Sequence, residues 1–163
     1  MNFINELHST FRRNADASAC IKGSDRYPGL KGTVEFYQLC GSVLVMAEFS
    51  GLPSENTLCD EPIFAFHIHE GTSCTGDAGD PFADAMGHYN PHDCPHPYHA
   101  GDMPPLFSVN GNSFLAFTTD RFWVNEILGR AVIVHKMSDD FHTQPSGNAG
   151  EKIGCGIIHG KCR

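Results

Sequence analysis

Positive charge is scarce in this chain, which has 11 Lys and Arg residues against 19 Asp and Glu residues and a formal net charge of −8 at pH 7. This imbalance argues against nucleic acid or an anionic membrane surface as the main partner. No apolar run approaches the length of a membrane span. Charged residues make up only 18% of the chain, which does not suit a disordered tail or a coiled coil.

The N-terminus lacks the unbroken apolar segment and the small-residue cleavage site of a secretory signal peptide. This absence favours the cytoplasm, whereas seven cysteines in a chain of this size suggest an oxidising, extracytoplasmic compartment. The two signals conflict and leave the compartment open. Phe3, Leu7 and Phe11 recur at a spacing of four, so residues 2–13 are either a short amphipathic helix or a polar arm.

What the sequence does contain is a series of short β-type segments separated by turns. The 163 residues fit one domain with its own core, and we expect an N-terminal arm at 1–18 followed by a domain at 19–163. Several short strands of this kind indicate an antiparallel sandwich or barrel, in which residues 32–49 form a hairpin. The predicted strands are Ala19–Gly23, Gly32–Gln38, Val43–Phe49, Ile63–His69, Ser113–Thr118, Ala131–His135 and Gly154–His159.

Two long segments rich in Gly, Pro and Asp interrupt the strands, at roughly 70–112 and 136–153. A structureless segment as long as the first is unusual in one domain unless something else orders it. Metal ligands and a disulfide are the candidates, because histidine and cysteine are concentrated there.

Histidine is the most informative residue of this chain, which has ten. His67 and His69 are two apart on a predicted strand, so both side chains leave the same face. Such a pair alone is more often two exposed polar residues than two metal ligands. Here further histidines and an aspartate accompany the pair. Imidazole suits copper and zinc, and imidazoles with one carboxylate suit zinc. The further candidates are His88, His92, His96, His99, Asp102 and His135.

At these residues the sequence resembles the Cu,Zn superoxide dismutase family. Five segments carry the resemblance in the family's order: FHIHEGTSC, GHYNP, HAGDMPPL, LGRAVIVHKMSDD and GNAGEKIGCGII. It extends from about residue 19 to 159. The short spacing from His69 to Cys74, and the PPLF after Asp102 and Met103, are similar to the bacterial branch. The resemblance implies an all-β, eight-stranded antiparallel Greek-key barrel, an immunoglobulin-like sandwich with long metal-binding loops.

The resemblance also implies a set of site residues. His88 is the bridging ligand between two metals, and Asp139 links ligands of one metal to ligands of the other. Cys74 and Cys155 form a disulfide that ties the long loop to the last strand. The implied copper ligands are His67, His69, His88 and His135, and the implied zinc ligands are His88, His96, His99 and Asp102.

The implied activity is superoxide dismutation, in which copper redox cycling converts two superoxide anions to dioxygen and hydrogen peroxide. His88 takes up and delivers a proton, while zinc orders the loop without redox chemistry. We expect superoxide as the partner, no nucleic acid, no membrane, and a monomer or homodimer. One alternative is a copper- and zinc-binding module of the same fold without efficient dismutation. Another is a zinc hydrolase, which would need a general base that the sequence does not show.

The chain departs from the family at two places. Only two residues separate His96 from His99, fewer than is usual, which makes His92 a rival zinc ligand. Lys152 stands where the family carries the arginine that docks superoxide. Lysine keeps the positive charge but lacks the planar fork that orients an anion.

The remaining cysteines receive simpler interpretations. We expect Cys20, in a strand, to be a small buried hydrophobic residue. Cys40 and Cys162 are candidates for exposed free thiols. Cys94 is interpreted as a disulfide partner of Cys59 or a free thiol, in preference to a zinc ligand.

Overall fold

The computed structural model describes residues 9–10, 13–54 and 63–161, and their regular structure is almost wholly β-strand. Helix among these residues is limited to residues 9–10 and two 3-10 turns at Ala83–Ala85 and Val124–Glu126. Within this part of the chain, no helix has the length and apolarity needed to cross a membrane. The strands are β1 (Ala17–Gly23), β2 (Lys31–Gln38), β3 (Val43–Ser50), β4 (Ile63–Phe64), β5 (Phe66–His69), β6 (Leu106–Phe107), β7 (Ser113–Thr119), β8 (Ala131–His135) and β9 (Lys152–Gly160).

Seven strands form one curled antiparallel sheet in the order β5-β8-β9-β1-β2-β3-β7, and β4 pairs with β6 separately. The prediction of an all-β antiparallel fold is confirmed. The single strand predicted at Ile63–His69 is divided at Ala65, because β4 turns to pair with β6 while β5 pairs with β8. Strand β5 therefore lies at one edge of the sheet, where it pairs with β8.

The hairpin predicted at residues 32–49 is present as β2 and β3. Gln38 pairs with Val43, and Gly41 adopts a φ of 94° in the turn between them, a conformation that glycine takes without strain. Along β2, Val34 and Phe36 are buried while Thr33 is exposed. The alternation read from the sequence is thus the alternation of core and surface.

The main core lies inside the curled sheet. Phe36, Phe66, Ile68, Ile153 and Ile158 are fully buried there. A smaller apolar cluster lies on the other face of β8 and β9, where the loop after β5 covers them. It contains Phe82, Ala85, Ala131, Ile133 and Cys155.

The long loop predicted at 70–112 holds more regular structure than the sequence indicated, since it contains β6 and the turn at Ala83–Ala85. The amphipathic pattern at Phe3, Leu7 and Phe11 lies outside the described residues. Strand β1 begins at Ala17, so the last two residues of the predicted arm belong to a strand. The division into an arm and a domain stays a prediction.

Candidate metal centre

Four buried imidazoles meet at the sheet edge. His67 and His69 come from β5, His135 ends β8, and His88 comes from the loop that follows β5. One ring nitrogen from each of the four lies within 4.8 Å of the others. On β5 the side chains alternate, so Phe66 and Ile68 enter the core while the two histidines face the loops. We name this set the four-histidine cluster.

Hydrogen bonds fix which nitrogen of each ring faces the centre of the four-histidine cluster. His69 donates from Nδ1 to the Met86 carbonyl at 2.8 Å, and His135 donates from Nδ1 to the Gly150 carbonyl at 3.2 Å. Their Nε2 atoms then lie 3.3 Å apart with lone pairs available. A ring oriented by a carbonyl on one nitrogen, with the other nitrogen free, is how metal-binding histidines are held.

A second cluster lies next to the first and shares His88 with it. It consists of His88, His96, His99 and Asp102, whose ligand atoms are also within 4.8 Å of one another. Asp102 Oδ1 is 2.7 Å from His88 Nδ1, and Asp102 Oδ2 is 3.1 Å from His96 Nδ1. We name this set the carboxylate cluster. Imidazoles with one carboxylate are a ligand set that zinc accepts.

Several buried ring nitrogens in the two clusters have no hydrogen-bond partner. They are His67 Nδ1, His88 Nε2 and His96 Nδ1, the last of which lies 3.1 Å from Asp102 Oδ2 without forming a hydrogen bond to it. Buried polar atoms without a partner cost free energy, so such atoms need an explanation. Metal ligation satisfies all of them, because His67 Nδ1 and His88 Nε2 belong to the four-histidine cluster and His96 Nδ1 belongs to the carboxylate cluster. The residues therefore fit copper and zinc.

Asp139 connects the two clusters. His67 donates from Nε2 to Asp139 Oδ2 at 2.8 Å, and His96 donates from Nε2 to Asp139 Oδ1 at 2.9 Å. Gly147 permits this approach, because a Cβ there would lie 2.0 Å from Asp139 Oδ1. Burial would raise the pKa of Asp139, but the hydrogen bonds from His67, from the Phe141 amide and from His96 outweigh it and hold the pKa below its ordinary range. The carboxylate stays ionised and orients both rings.

Three histidines of the four-histidine cluster, His67, His69 and His135, are held neutral. Burial lowers the pKa of His67 to about 4, although the Asp139 hydrogen bond opposes the shift. Burial, together with His67, lowers the pKa of His135 to about 3. Burial also puts the pKa of His69 well below 6.5, with His135 and His88 contributing. Neutral imidazole is the form that binds a metal, so the site is prepared for one near pH 7.

Arg121, at the end of β7, orders the short segment between His96 and Asp102. Its Nη1 donates to the carbonyls of Pro97 at 3.0 Å, His99 at 3.4 Å and Asp102 at 3.3 Å. Gln144 adds two hydrogen bonds to the backbone of His96, at 2.9 Å to its amide and 2.7 Å to its carbonyl. These contacts let two intervening residues suffice between His96 and His99. His92 is exposed and lies outside the carboxylate cluster.

Lys152 lies at the start of β9, beside the four-histidine cluster. The register of β8 with β9 shifts between Val134 and His135, so His135 pairs with Lys152 while Ile153 enters the core. Bulges often serve to aim a side chain next to a site. The ammonium of Lys152 is 2.7 Å from Asp80 Oδ2 and 3.1 Å from the Phe82 carbonyl. No pattern in the sequence indicates Asp80 as the partner of Lys152.

The Cys74–Cys155 disulfide is present and joins the loop after β5 to β9 across a sequence separation of 81 residues. Cys94 has a free thiol and lies outside the carboxylate cluster, while Cys59 and Cys162 lie outside the described residues. The expectation that Cys20 is buried is wrong. Its neighbours Ala19 and Ile21 face the core, so alternation along β1 places the Cys20 thiol on the exposed face.

Comparison with known proteins agrees with this geometry. The sequence pattern of the family described as "Copper/zinc superoxide dismutase (SODC)" matches residues 30–158. The chain is 31% identical over 142 residues to superoxide dismutase [Cu-Zn] 2 of Aquifex aeolicus, covering 78% of each chain. It is 30% identical over 160 residues to superoxide dismutase [Cu-Zn] of Legionella pneumophila, covering 93% of this chain and 92% of the relative. The fold is similar to Cu/Zn superoxide dismutase from Brucella abortus, with a TM-score of 0.71, 24% identity, and coverage of 86% and 98%.

Proposed function

The chain belongs to the copper/zinc superoxide dismutase family, and from this premise we propose which of its residues hold the metals, the proton and the substrate. It is an oxidoreductase that acts on superoxide, with copper and zinc as its metals. The residue assignment is supported by one observation: the two clusters share His88, and three of their buried ring nitrogens form no hydrogen bond.

The four-histidine cluster would hold copper through His67, His69, His88 and His135, and the carboxylate cluster would hold zinc through His88, His96, His99 and Asp102. When bound, copper supplies the one-electron chemistry by which one superoxide is oxidised to dioxygen and another is reduced to hydrogen peroxide, and zinc supplies a fixed charge. Because His88 belongs to both clusters, its ring would bridge the two metals.

The chain's own residues do three things in this scheme. When it does not ligate copper, His88 Nε2 would take up one proton and deliver it to the reduced substrate, and the second proton that hydrogen peroxide needs would come from solvent. Asp139 orients His67 and His96 through its two oxygens. Lys152 attracts superoxide and orients it beside His135, since these two residues pair across β8 and β9.

Metal analysis of the His88→Ala and His99→Ala variants tests the bridging role. We expect His88→Ala to disturb both metals, because its ring belongs to both clusters, and His99→Ala to empty only the zinc site. A visible copper spectrum that is unchanged in His88→Ala would show that His88 does not bridge. A dismutase assay of the metal-loaded wild type separates an efficient enzyme from a metal-binding module of the same fold.

We also propose that the protein is a monomer or a homodimer, and that residues 1–18 form an arm on a domain of residues 19–163. Sedimentation equilibrium gives the oligomeric state directly. Limited proteolysis followed by mass spectrometry tests the arm, which should be cut before β1 while the domain resists. Cleavage within β1 would place the boundary elsewhere.

A further inference from the structure

The cation assigned to superoxide is already engaged by a carboxylate. The Lys152 ammonium forms an ion pair with Asp80 at 2.7 Å and donates to the Phe82 carbonyl at 3.1 Å. The Lys152 side chain is 15% exposed and that of Asp80 is 41% exposed. Lys152 lies on β9 and Asp80 on the loop after β5, and both side chains are partly exposed, so an approaching anion meets both charges.

The carboxylate of Asp80 is fixed in place by its own loop. Its Oδ1 accepts a hydrogen bond from the Phe82 amide at 3.0 Å, while Oδ2 faces Lys152. The Asp80 amide donates to Asp77 Oδ1 at 3.0 Å, and the Asp80 carbonyl accepts from the Asp77 amide at 2.9 Å and the Ala83 amide at 3.1 Å. Because these hydrogen bonds hold the Asp80 carboxylate in one position, the loop itself places it for the ion pair with Lys152.

The loop that carries Asp80 is itself joined to β9. The Cys74–Cys155 disulfide links the two segments, and Phe82 packs in the apolar cluster that includes Cys155. Lys152 is three residues before Cys155 on the same strand. Asp80 and Lys152 are therefore placed together by covalent and apolar contacts that do not depend on the ion pair.

An ion pair attracts a distant anion far less than an isolated cation does, because the fields of its two charges largely cancel. The net charge of −8 already opposes the approach of an anion, so local positive charge determines how often superoxide reaches the site. We propose that Asp80 sets the anion affinity of the site, by masking the charge of Lys152 and so weakening the attraction of superoxide and other small anions. This inference rests on the proposed role of Lys152 beside the copper-binding histidines.

The test uses the fully metal-loaded protein and two measurements. The first is the affinity for azide, a small anion that serves as the probe, followed by the visible spectrum of the copper site. The second is the dismutation rate constant by pulse radiolysis at several ionic strengths. The Asp80→Asn variant should bind azide more tightly and react faster at low salt, by about tenfold at most, which is the low end of electrostatic steering effects. Its rate should also fall more steeply as salt is added.

Three comparison variants make the outcome decisive. Glu48→Gln removes the same charge from an exposed position on β3, which does not pair with β5, β8 or β9, and should leave azide affinity near the wild-type value. Asp80→Glu keeps the charge and should resemble the wild type. If Asp80→Asn binds azide as the wild type does or more weakly, Asp80 does not mask the cation and the inference is overturned. If Lys152→Gln also leaves azide affinity unchanged, the role of Lys152 in the proposed function fails as well.

Discussion

Lys152 lies opposite His135 because β9 carries a bulge at this point, which places Ile153 in the core and turns Lys152 toward the histidines. A regular ladder continued from Val134 and Gly154 would pair His135 with Ile153 instead. Because of the bulge, a cationic side chain lies beside the histidines although the residues that follow it on β9 are apolar. Substitutions of Lys152 and of its partner Asp80 can therefore test this arrangement directly.

Substitution of Lys152 should change the rate in a charge-dependent order. Lys152→Arg keeps the cation and adds a planar fork, so we expect a rise of several-fold at most, on the order of 1 kcal/mol in transition-state binding. Lys152→Glu should slow the reaction much more, because it reverses the charge and repels Asp80. Pulse radiolysis at low and high salt measures both effects, with exposed Lys22→Glu as the control for overall charge. Equal rates for the wild type, Arg and Glu forms would mean that Lys152 does not face the substrate.

Arg121 should control how long zinc is retained. Arg121→Ala removes the donor shared by the carbonyls of Pro97, His99 and Asp102, so the segment that carries the carboxylate cluster loosens. We expect zinc affinity to fall by about tenfold or more, as residues that orient metal ligands typically show. Competition with a chromogenic chelator measures it. Arg26→Ala, which removes an exposed ion pair with Glu151, is the matched control. Equal zinc retention in both variants would contradict this role.

Loss of the Cys74–Cys155 disulfide should destabilise the fold. Closing a loop of this length stabilises a protein by ~4 kcal/mol in the chain-entropy model, and the same bond holds the apolar cluster around Phe82. Urea unfolding of Cys74→Ser should show a clear drop in the free energy of unfolding, whereas Cys20→Ser, at an exposed position, should not. Peptide mapping of the non-reduced protein should recover the two cysteines as one linked pair. Alkylation of both in fully active protein would refute the assignment.

The metal-free protein should lose stability as the pH falls below neutrality. Burial lowers the pKa of His67 to about 4 and that of His135 to about 3, from an ordinary 6.5. The unfolded chain therefore binds more protons than the folded one between these values. The stability is complete above pH 6.5 and is lost toward pH 4, by up to ~1.4 kcal/mol per pH unit for each group. Urea unfolding from pH 7 to 4 measures the slope, which His67→Gln should reduce. A free energy of unfolding that is flat over this range would contradict the prediction.

The sequence predicted the β segments and the two clusters well, for physical reasons. Alternation along β2 shows that Val34 and Phe36 enter the core, and the spacing of His67 and His69 places both on one face. Loop residues such as His88, His96 and Asp102 are not placed by periodicity, so only the resemblance of their segments to a family located them. The contacts of Arg121 and Gln144 were not predictable, because each joins positions far apart in the chain.

Three features of the structure differ from what the sequence predicts or are not predicted by it. The bulge in β9 depends on how β8 and β9 align in space, so it cannot be predicted from the local sequence around Ile153. Asp80 sits among several acidic residues of a polar loop, and nothing in that pattern distinguishes it as the partner of Lys152. The residue type of Cys20 predicts a core position, whereas its alternation with Ala19 and Ile21 indicates the exposed face.

The Cys74–Cys155 disulfide anchors the loop that carries Asp80. The reduction potential of the surroundings therefore affects how closely Asp80 contacts Lys152, and so the electric field beside His135. A thiol buffer reducing enough to open this bond would loosen the loop and so weaken the contact of Asp80 with Lys152, while leaving the cation on β9. The reduced protein would then attract small anions more strongly and unfold more easily. The disulfide would thus increase the stability of the fold and, at the same time, lower the affinity of the site for its anionic substrate.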